Sequence, residues 1–148
     1  MARVLLGIAF LALLLFSGAA QAEGLLIIAN PNLIVATPVP LSQIAAIYLL
    51  RVTNWPDGSH VVPVNREAGS RVREEFTARV LQQDNAELAI YWNEMHFQGK
   101  MPPLVQESEE AMIAFIRNVP GSIGYINGSA PRLDVAPRLD VKVIAYVP

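Results

Sequence analysis

The stretch from Val61 to Phe76 joins an apolar run to an amphipathic helix through a Gly-Ser turn. Residues 61–64 predict a short buried strand, and apolar residues then recur every four positions from Val72 to Val80, which places them on one helix face. A strand that turns directly into a helix leaves unpaired backbone N–H groups and the positive end of the helix dipole together. The stretch therefore favours an α/β fold and a position suited to negative charge.

The polar residues of this turn have two interpretations. In the first, an anion lies at the start of the predicted helix, at Ser70, with the Arg66 guanidinium beside it. In the second, Ser70 is an ordinary helix cap, which stabilises a helix by about 1 kcal/mol. The nearby arginines then simply pair with nearby glutamates: Arg66, Arg71 and Arg73 with Glu67, Glu74 and Glu75. The residues alone leave both interpretations open.

Residues 1–22 have the pattern of a cleavable export signal. Arg3 supplies a positive charge, an apolar segment follows, and the small-residue sequence Ala-Gln-Ala ends at Ala22. We expect cleavage after Ala22, which leaves residues 23–148 as a single domain, released in a bacterial periplasm. The chain contains no cysteine, so we expect neither disulfides nor a lipid anchor.

Composition and motif content exclude several classes of function. The net charge of −2 and the lack of a basic stripe argue against a nucleic-acid partner. The only two histidines, His60 and His96, are far apart, so no metal-ligand spacing occurs. Gly69-Ser70 lacks the second glycine of a hydrolase elbow, and phosphate-loop and dinucleotide motifs are missing. We expect a protein that is not an enzyme and that uses no metal or cofactor.

Short apolar runs alternate with helical periodicities along residues 23–148. Strands are predicted at residues 25–29, 61–64, 104–105, 122–126 and 141–147. Helices are predicted to begin near Ser42, Ser70, Asp84 and Ser108. This alternation predicts a three-layer α/β domain with a mixed central sheet. Trp55 is expected to pack in the core rather than face a ligand, residues 127–128 to turn, and the tandem hexamer at 130–141 to form a loop.

Four segments resemble, in chain order, motifs of the phosphate-type periplasmic substrate-binding proteins of ABC transporters. Residues 47–58 resemble the element IFxGxxTNWxDG, and residues 65–76 resemble the anion loop RxxGSGTRxxF. Tyr91-Trp92 and residues 120–126 are similar to a downstream helix and to the strand PGAIGY. The resemblance spans residues 25–126.

The resemblance implies one lobe of a type II periplasmic-binding-protein fold, and phosphate or a similar small oxyanion as the ligand, for ABC uptake or sensing. The resemblance implies that the Arg66 guanidinium binds the anion and that Ser70 donates to it through its hydroxyl and its N–H. It also places Gly69 and Arg71 in the anion-binding site. Two positions depart from the family motif, since Arg71 replaces a glycine and Val72 replaces a threonine.

Family members close two lobes over the ligand, whereas this chain resembles one. A single lobe leaves part of an anion's donor shell unfilled, so we expect it either to bind an anion weakly or to bind it through a partner or a homodimer that supplies the other wall. An ABC permease or a membrane sensor is the expected partner. We also expect an exposed apolar rim beside Ser70 that includes Trp55. The alternative is an interaction module that has lost its ligand and docks on a membrane receptor or transporter. Arg71 and Val72 favour this alternative, and Arg66 and Ser70 favour anion binding.

Overall fold

The computed structural model describes residues 23–129 and 139–148. Within these ranges five strands form one sheet: β1 (Gly24–Ala29), β2 (Val62–Arg66), β3 (Leu104–Gln106), β4 (Ser122–Gly128) and β5 (Lys142–Val147). The helices are α1 (Leu41–Tyr48), α2 (Arg71–Phe76), α3 (Asn85–Phe97) and α4 (Glu109–Asn118). A π-helical segment, Thr77–Leu81, continues α2. The predicted signal segment and most of the tandem hexamer lie outside the described residues.

The sheet is mixed, with strand order β3-β2-β4-β1-β5. β2 is parallel to both of its neighbours, while β1 is antiparallel to β4 and β5. Pro63 lies within β2 although proline cannot donate a ladder hydrogen bond. The pairing of β2 with β3 begins only at Val64, one residue later, so the missing N–H of Pro63 removes no bond from that pair.

Helices cover both faces of the sheet, which confirms the three-layer prediction. Successive residues of a strand point to opposite faces, and β1 follows this rule. Leu25 and Ile27 pack with α1, α2 and the π-helical segment, whereas Leu26 and Ile28 pack with Met112 and other residues of α4. The periodic residues after Ser70 are buried as predicted: Val72, Phe76 and Val80.

Side-chain caps fix the starts of α3 and α4. The Asp84 carboxylate accepts the N–H of Glu87 at 2.8 Å, and the Glu87 carboxylate accepts the N–H of Asp84 at 3.0 Å. This reciprocal pair is the predicted capping box. The Ser108 hydroxyl accepts the N–H of Ala111 at 3.0 Å, so α4 also begins where the sequence indicated.

Several boundaries differ from the sequence prediction. β2 continues to Arg66 instead of ending at Val64, so the turn before α2 is shorter than expected. Ser42 does not cap α1, because the Pro40 carbonyl already accepts the N–H of Ile44 at 3.1 Å and the helix begins at Leu41. Residues 127–128 do not turn. They extend β4, since they pair with the first two residues of β1.

Trp55 is buried, with 2% of its surface exposed. Its indole Nε1 donates to the Gly121 carbonyl at 2.9 Å, which joins the turn before β2 to the start of β4. The core interpretation of Trp55 is therefore confirmed, and its expected place on an exposed rim is wrong. The large exposed apolar side chains on and after α3 are Ile90, Phe97, Met101, Leu104 and Val105. None of the described helices has the length and apolar character needed to cross a membrane.

Candidate functional site

The candidate site lies at the carboxyl end of β2, where a four-residue turn leads into α2. Beneath it, the buried Tyr125 hydroxyl accepts the backbone N–H of Arg66 at 3.1 Å and donates to Asn65 Oδ1 at 2.6 Å. Burial raises the pKa of Tyr125 to about 12, so the hydroxyl keeps its proton at physiological pH. The Tyr125 ring stacks on Phe76 of α2 with a centroid distance of 3.9 Å. Tyr125 therefore holds the backbone at Arg66 and the side chain of Asn65 in place, at the start of the turn.

Arg66 is buried, with its guanidinium bound to the adjacent carboxylate. Its Nε and Nη2 donate to the two carboxylate oxygens of Glu67 at 2.9 and 3.1 Å. These hydrogen bonds lower the pKa of Glu67. The fork that would grip an anion is thus occupied by a side chain that is itself about one-third exposed. The pairing interpretation of the sequence is confirmed for this arginine.

Ser70 occupies the first position before α2 without capping it. Its hydroxyl donates to the Glu67 carbonyl at 2.9 Å, and within residues 23–129 and 139–148 no side chain accepts the first N–H groups of α2. Gly69 has a φ of +81°, a conformation that favours glycine, and makes this reversal of the chain. The cap interpretation of Ser70 is wrong, and the positive end of the helix is left open.

The two arginines of α2 differ in their surroundings. The Arg71 side chain is 87% exposed and its Nε bonds Glu75 at 2.9 Å, as expected for residues four apart on a helix. Arg73 is half-buried, and its Nη1 donates to the Arg66 carbonyl at 2.8 Å. Arg66, Gly69, Ser70 and Arg71 all lie on or beside this turn, but the guanidinium groups of Arg66 and Arg71 pair with different glutamates, Glu67 and Glu75. Sequence reasoning did not single out Arg73, although its position three residues after Ser70, close to one helical turn, was a signal.

A cavity of about 240 Å³ adjoins this turn, between α2 and α3. Its lining includes Gly69, Arg73, Glu74, Leu88, Ala89 and Trp92. The Trp92 ring meets the Tyr91 ring edge-on at 5.2 Å, and the Tyr91 hydroxyl donates to the Leu49 carbonyl. The aromatic pair that the sequence placed on α3 therefore anchors the helix on one side and lines the cavity on the other. Within the described residues, no group of three or more His, Cys, Asp or Glu side chains could hold a metal ion.

Comparisons with solved structures match this architecture. A phosphate ABC transporter substrate-binding protein with bound phosphate from Clostridium perfringens superposes with a TM-score of 0.62 at 23% identity, covering 82% of this chain and 44% of that one. PstS from Borrelia burgdorferi gives 0.62 at 17% identity, covering 83% and 47%.

An ABC-type phosphate transport receptor from Vibrio cholerae gives a TM-score of 0.61 at 21% identity, covering 82% of this chain and 46% of the receptor. The chain has the fold of these substrate-binding proteins. It spans slightly under half of their length. No protein-family model matches the sequence, and no curated protein matches it.

Proposed function

We propose that this chain binds phosphate or a similar small oxyanion at residues 66–71, and that it acts in a bacterial periplasm in ABC uptake or sensing. The observation that carries the proposal is the open N-terminus of α2. Its first N–H groups lack a side-chain cap, while the buried Arg66 and the Ser70 hydroxyl lie on the same turn. The likeness in fold to phosphate-binding proteins supports this proposal.

Binding requires an exchange at Arg66. The incoming anion displaces Glu67, whose carboxylate is partly exposed and turns into solvent. The Arg66–Glu67 pair is bidentate and Arg66 is buried, so losing this pair offsets the guanidinium hydrogen bonds that the anion gains. The exchange becomes favourable because the oxyanion also receives the N–H groups of α2, and a hydrogen bond to a charged group contributes about 1.5–3 kcal/mol.

The other wall of the site is supplied by a partner in this proposal. A lone lobe leaves one side of the anion in water, so a weak intrinsic affinity is expected. A permease, a membrane sensor or a second copy of the chain closes the site. Sedimentation of residues 23–148 at several concentrations, with and without phosphate, tests whether a second copy of the chain closes the site. Dimers that form only with phosphate support a second copy. A monomer under all conditions indicates that a different protein closes the site.

Calorimetric titration of residues 23–148 with phosphate and with sulfate tests the proposal. Arg66→Ala should lower phosphate affinity at least about tenfold, because one charge-assisted contact is lost. Arg66→Lys should recover part of it, since the charge remains without the planar fork. Arg117 is an exposed arginine on α4, so Arg117→Ala is the matched control for the loss of one positive charge. Equal losses for Arg66→Ala and Arg117→Ala would reject the assignment of Arg66.

One observation favours the alternative of an interaction module without a ligand. The guanidinium of Arg66 is already satisfied by Glu67, which is what a site that no longer meets an anion would show. In that case, wild-type protein gives no heat with either oxyanion at millimolar concentration. The surface at residues 66–71 then serves to dock on a membrane receptor or transporter.

A further inference from the structure

The cavity beside the candidate site is lined by charged residues on one side and mainly by apolar residues on the other. Arg73 and Glu74, which carry opposite charges, lie on the α2 side, and Leu88, Ala89 and Trp92 lie with the polar Asn85 on the α3 side. The cavity volume is about 240 Å³. A bare tetrahedral oxyanion held by Arg73 would make no use of the largely apolar wall.

Arg73 is the arginine of this turn that is both held in place and equipped with unused donors. Its Nη1 is anchored on the Arg66 carbonyl, and its charge also helps to lower the pKa of Glu67. Within the described residues, its other nitrogens make no further hydrogen bond. By contrast, Arg66 is bound to Glu67, and Arg71 points to solvent beside Glu75. An arginine carries several N–H donors in a fixed plane, so Arg73 can receive an anionic group without releasing its anchor.

Trp92 supplies a rigid aromatic surface opposite this charge. Trp92 is half-buried, and its ring contacts the edge of the Tyr91 ring. The Tyr91 hydroxyl in turn donates a hydrogen bond to the carbonyl of Leu49, the residue after α1. An aromatic ring placed this way favours a planar or branched apolar group over water. Trp92 is less covered by neighbouring side chains than Trp55, of which 2% is exposed.

We propose that this cavity binds the organic substituent of a monosubstituted oxyanion, a phosphonate or phosphomonoester with a compact aromatic or branched apolar group. The anionic group meets Arg73 and the turn before α2, and the substituent lies on Trp92. The inference rests on the proposed function and deepens it by naming the class of ligand.

Titration of residues 23–148 with inorganic phosphate, methylphosphonate and phenylphosphonate tests the inference. Phenylphosphonate should bind at least about tenfold more tightly than phosphate, because its ring leaves water for an apolar wall. Trp92→Ala should bring the ratio of phenylphosphonate affinity to phosphate affinity down to about one, while Trp92→Phe should retain most of the preference. Phe97→Ala, an exposed aromatic of the same helix, is the matched control.

Arg73→Ala should weaken both phosphonates at least about tenfold, against no change for Arg117→Ala. Thermal unfolding of each variant verifies that it is folded. If phosphate binds but phenylphosphonate binds no more tightly, or if Trp92→Ala keeps the preference, the cavity is not a substituent site and the proposed function survives. If none of the three probes binds wild-type protein, the proposed function and this inference are both overturned.

Discussion

The Tyr125 hydroxyl gives the sharpest test of how the turn at residues 66–70 is supported. It is the single group that both accepts the Arg66 N–H and donates to Asn65 Oδ1. Tyr125→Phe keeps the ring that stacks on Phe76 and leaves both of these buried partners unsatisfied. A buried donor or acceptor without a partner costs about 1–3 kcal/mol, so the loss of both partners should lower the free energy of unfolding by about 2–6 kcal/mol.

Tyr48→Phe is the matched control. Tyr48 is equally buried, and the single proton of its hydroxyl is shared between the carbonyl oxygens of Val64 and Ile123, at 2.8 and 3.2 Å from the hydroxyl oxygen. Carbonyl oxygens have a second lone pair and sit within paired strands, so they lose less than an unpaired N–H. Tyr48→Phe should therefore cost only about 0.5–1.5 kcal/mol, the usual net contribution of one hydrogen bond.

Urea unfolding followed by the fluorescence of the two tryptophans measures both free energies. The Tm of Tyr125→Phe should fall by at least about 6 °C for a domain of this size. Phosphate affinity should also fall, because the Arg66 backbone loses its anchor, whereas Tyr48→Phe should leave it unchanged. If the two variants lose the same stability and the same affinity, the bridging role of the Tyr125 hydroxyl is refuted.

Three further outcomes are expected. Glu67→Gln should raise phosphate affinity up to about fivefold by releasing Arg66. Arg66 lowers the pKa of Glu67, so the ion pair stabilises the fold above the ordinary carboxylate pKa. This stabilisation is lost as the pH falls through the lowered pKa of Glu67. The free energy of unfolding of Glu67→Gln, measured against acid pH, should not show this decrease. Gly121→Ala should destabilise by more than about 1 kcal/mol in urea unfolding, since φ is +74° and a Cβ would lie 2.1 Å from the His60 carbonyl oxygen, whereas Gly58→Ala, with open space, should cost less. Mass spectrometry of the exported protein should give Glu23 as its first residue, and recovery of the uncut chain in membranes would contradict that.

The sequence predicted those parts of the fold that depend on periodicity and local capping. The spacing of Val72, Phe76 and Val80 predicted the buried face of α2 and of the π-helical segment that continues it. Asp84 with Glu87 predicted the start of α3. These signals act between residues a few positions apart in the chain, where the backbone geometry of a helix determines which side chains come into contact. The π-helical segment at Thr77–Leu81 escaped prediction because it changes the hydrogen-bond register without changing the residues that face the core.

The candidate site was predictable in its location and not in its contacts. The strand, Gly-Ser turn and helix placed Arg66 and Ser70 together, but several acceptors compete for each side chain once the chain folds. Arg66 takes the adjacent carboxylate of Glu67, and the Ser70 hydroxyl takes a backbone carbonyl instead of capping α2. Such choices depend on burial and on long-range partners such as Tyr125, 59 residues from Arg66, which no local pattern contains.

The departures of Arg71 and Val72 from the family motif have unequal consequences in this structure. Arg71 is exposed and pairs only with Glu75, so Arg71→Gly should cost little in stability while allowing closer approach to the first N–H groups of α2. Val72 is buried in the core, with 3% of its surface exposed, so a threonine hydroxyl there would face apolar side chains rather than an anion.

Arg71→Gly alone should therefore raise phosphate affinity about tenfold, the gain of one charge-assisted hydrogen bond. The double variant Arg71→Gly, Val72→Thr should add no affinity and should unfold at lower urea concentration. Calorimetry and urea unfolding on the same preparations decide between the two positions. A further gain in the double variant would show that the hydroxyl at position 72 reaches the anion. If wild type and both variants fail to bind any oxyanion at millimolar concentration, loop chemistry is not the limiting factor, and the interaction-module alternative takes its place.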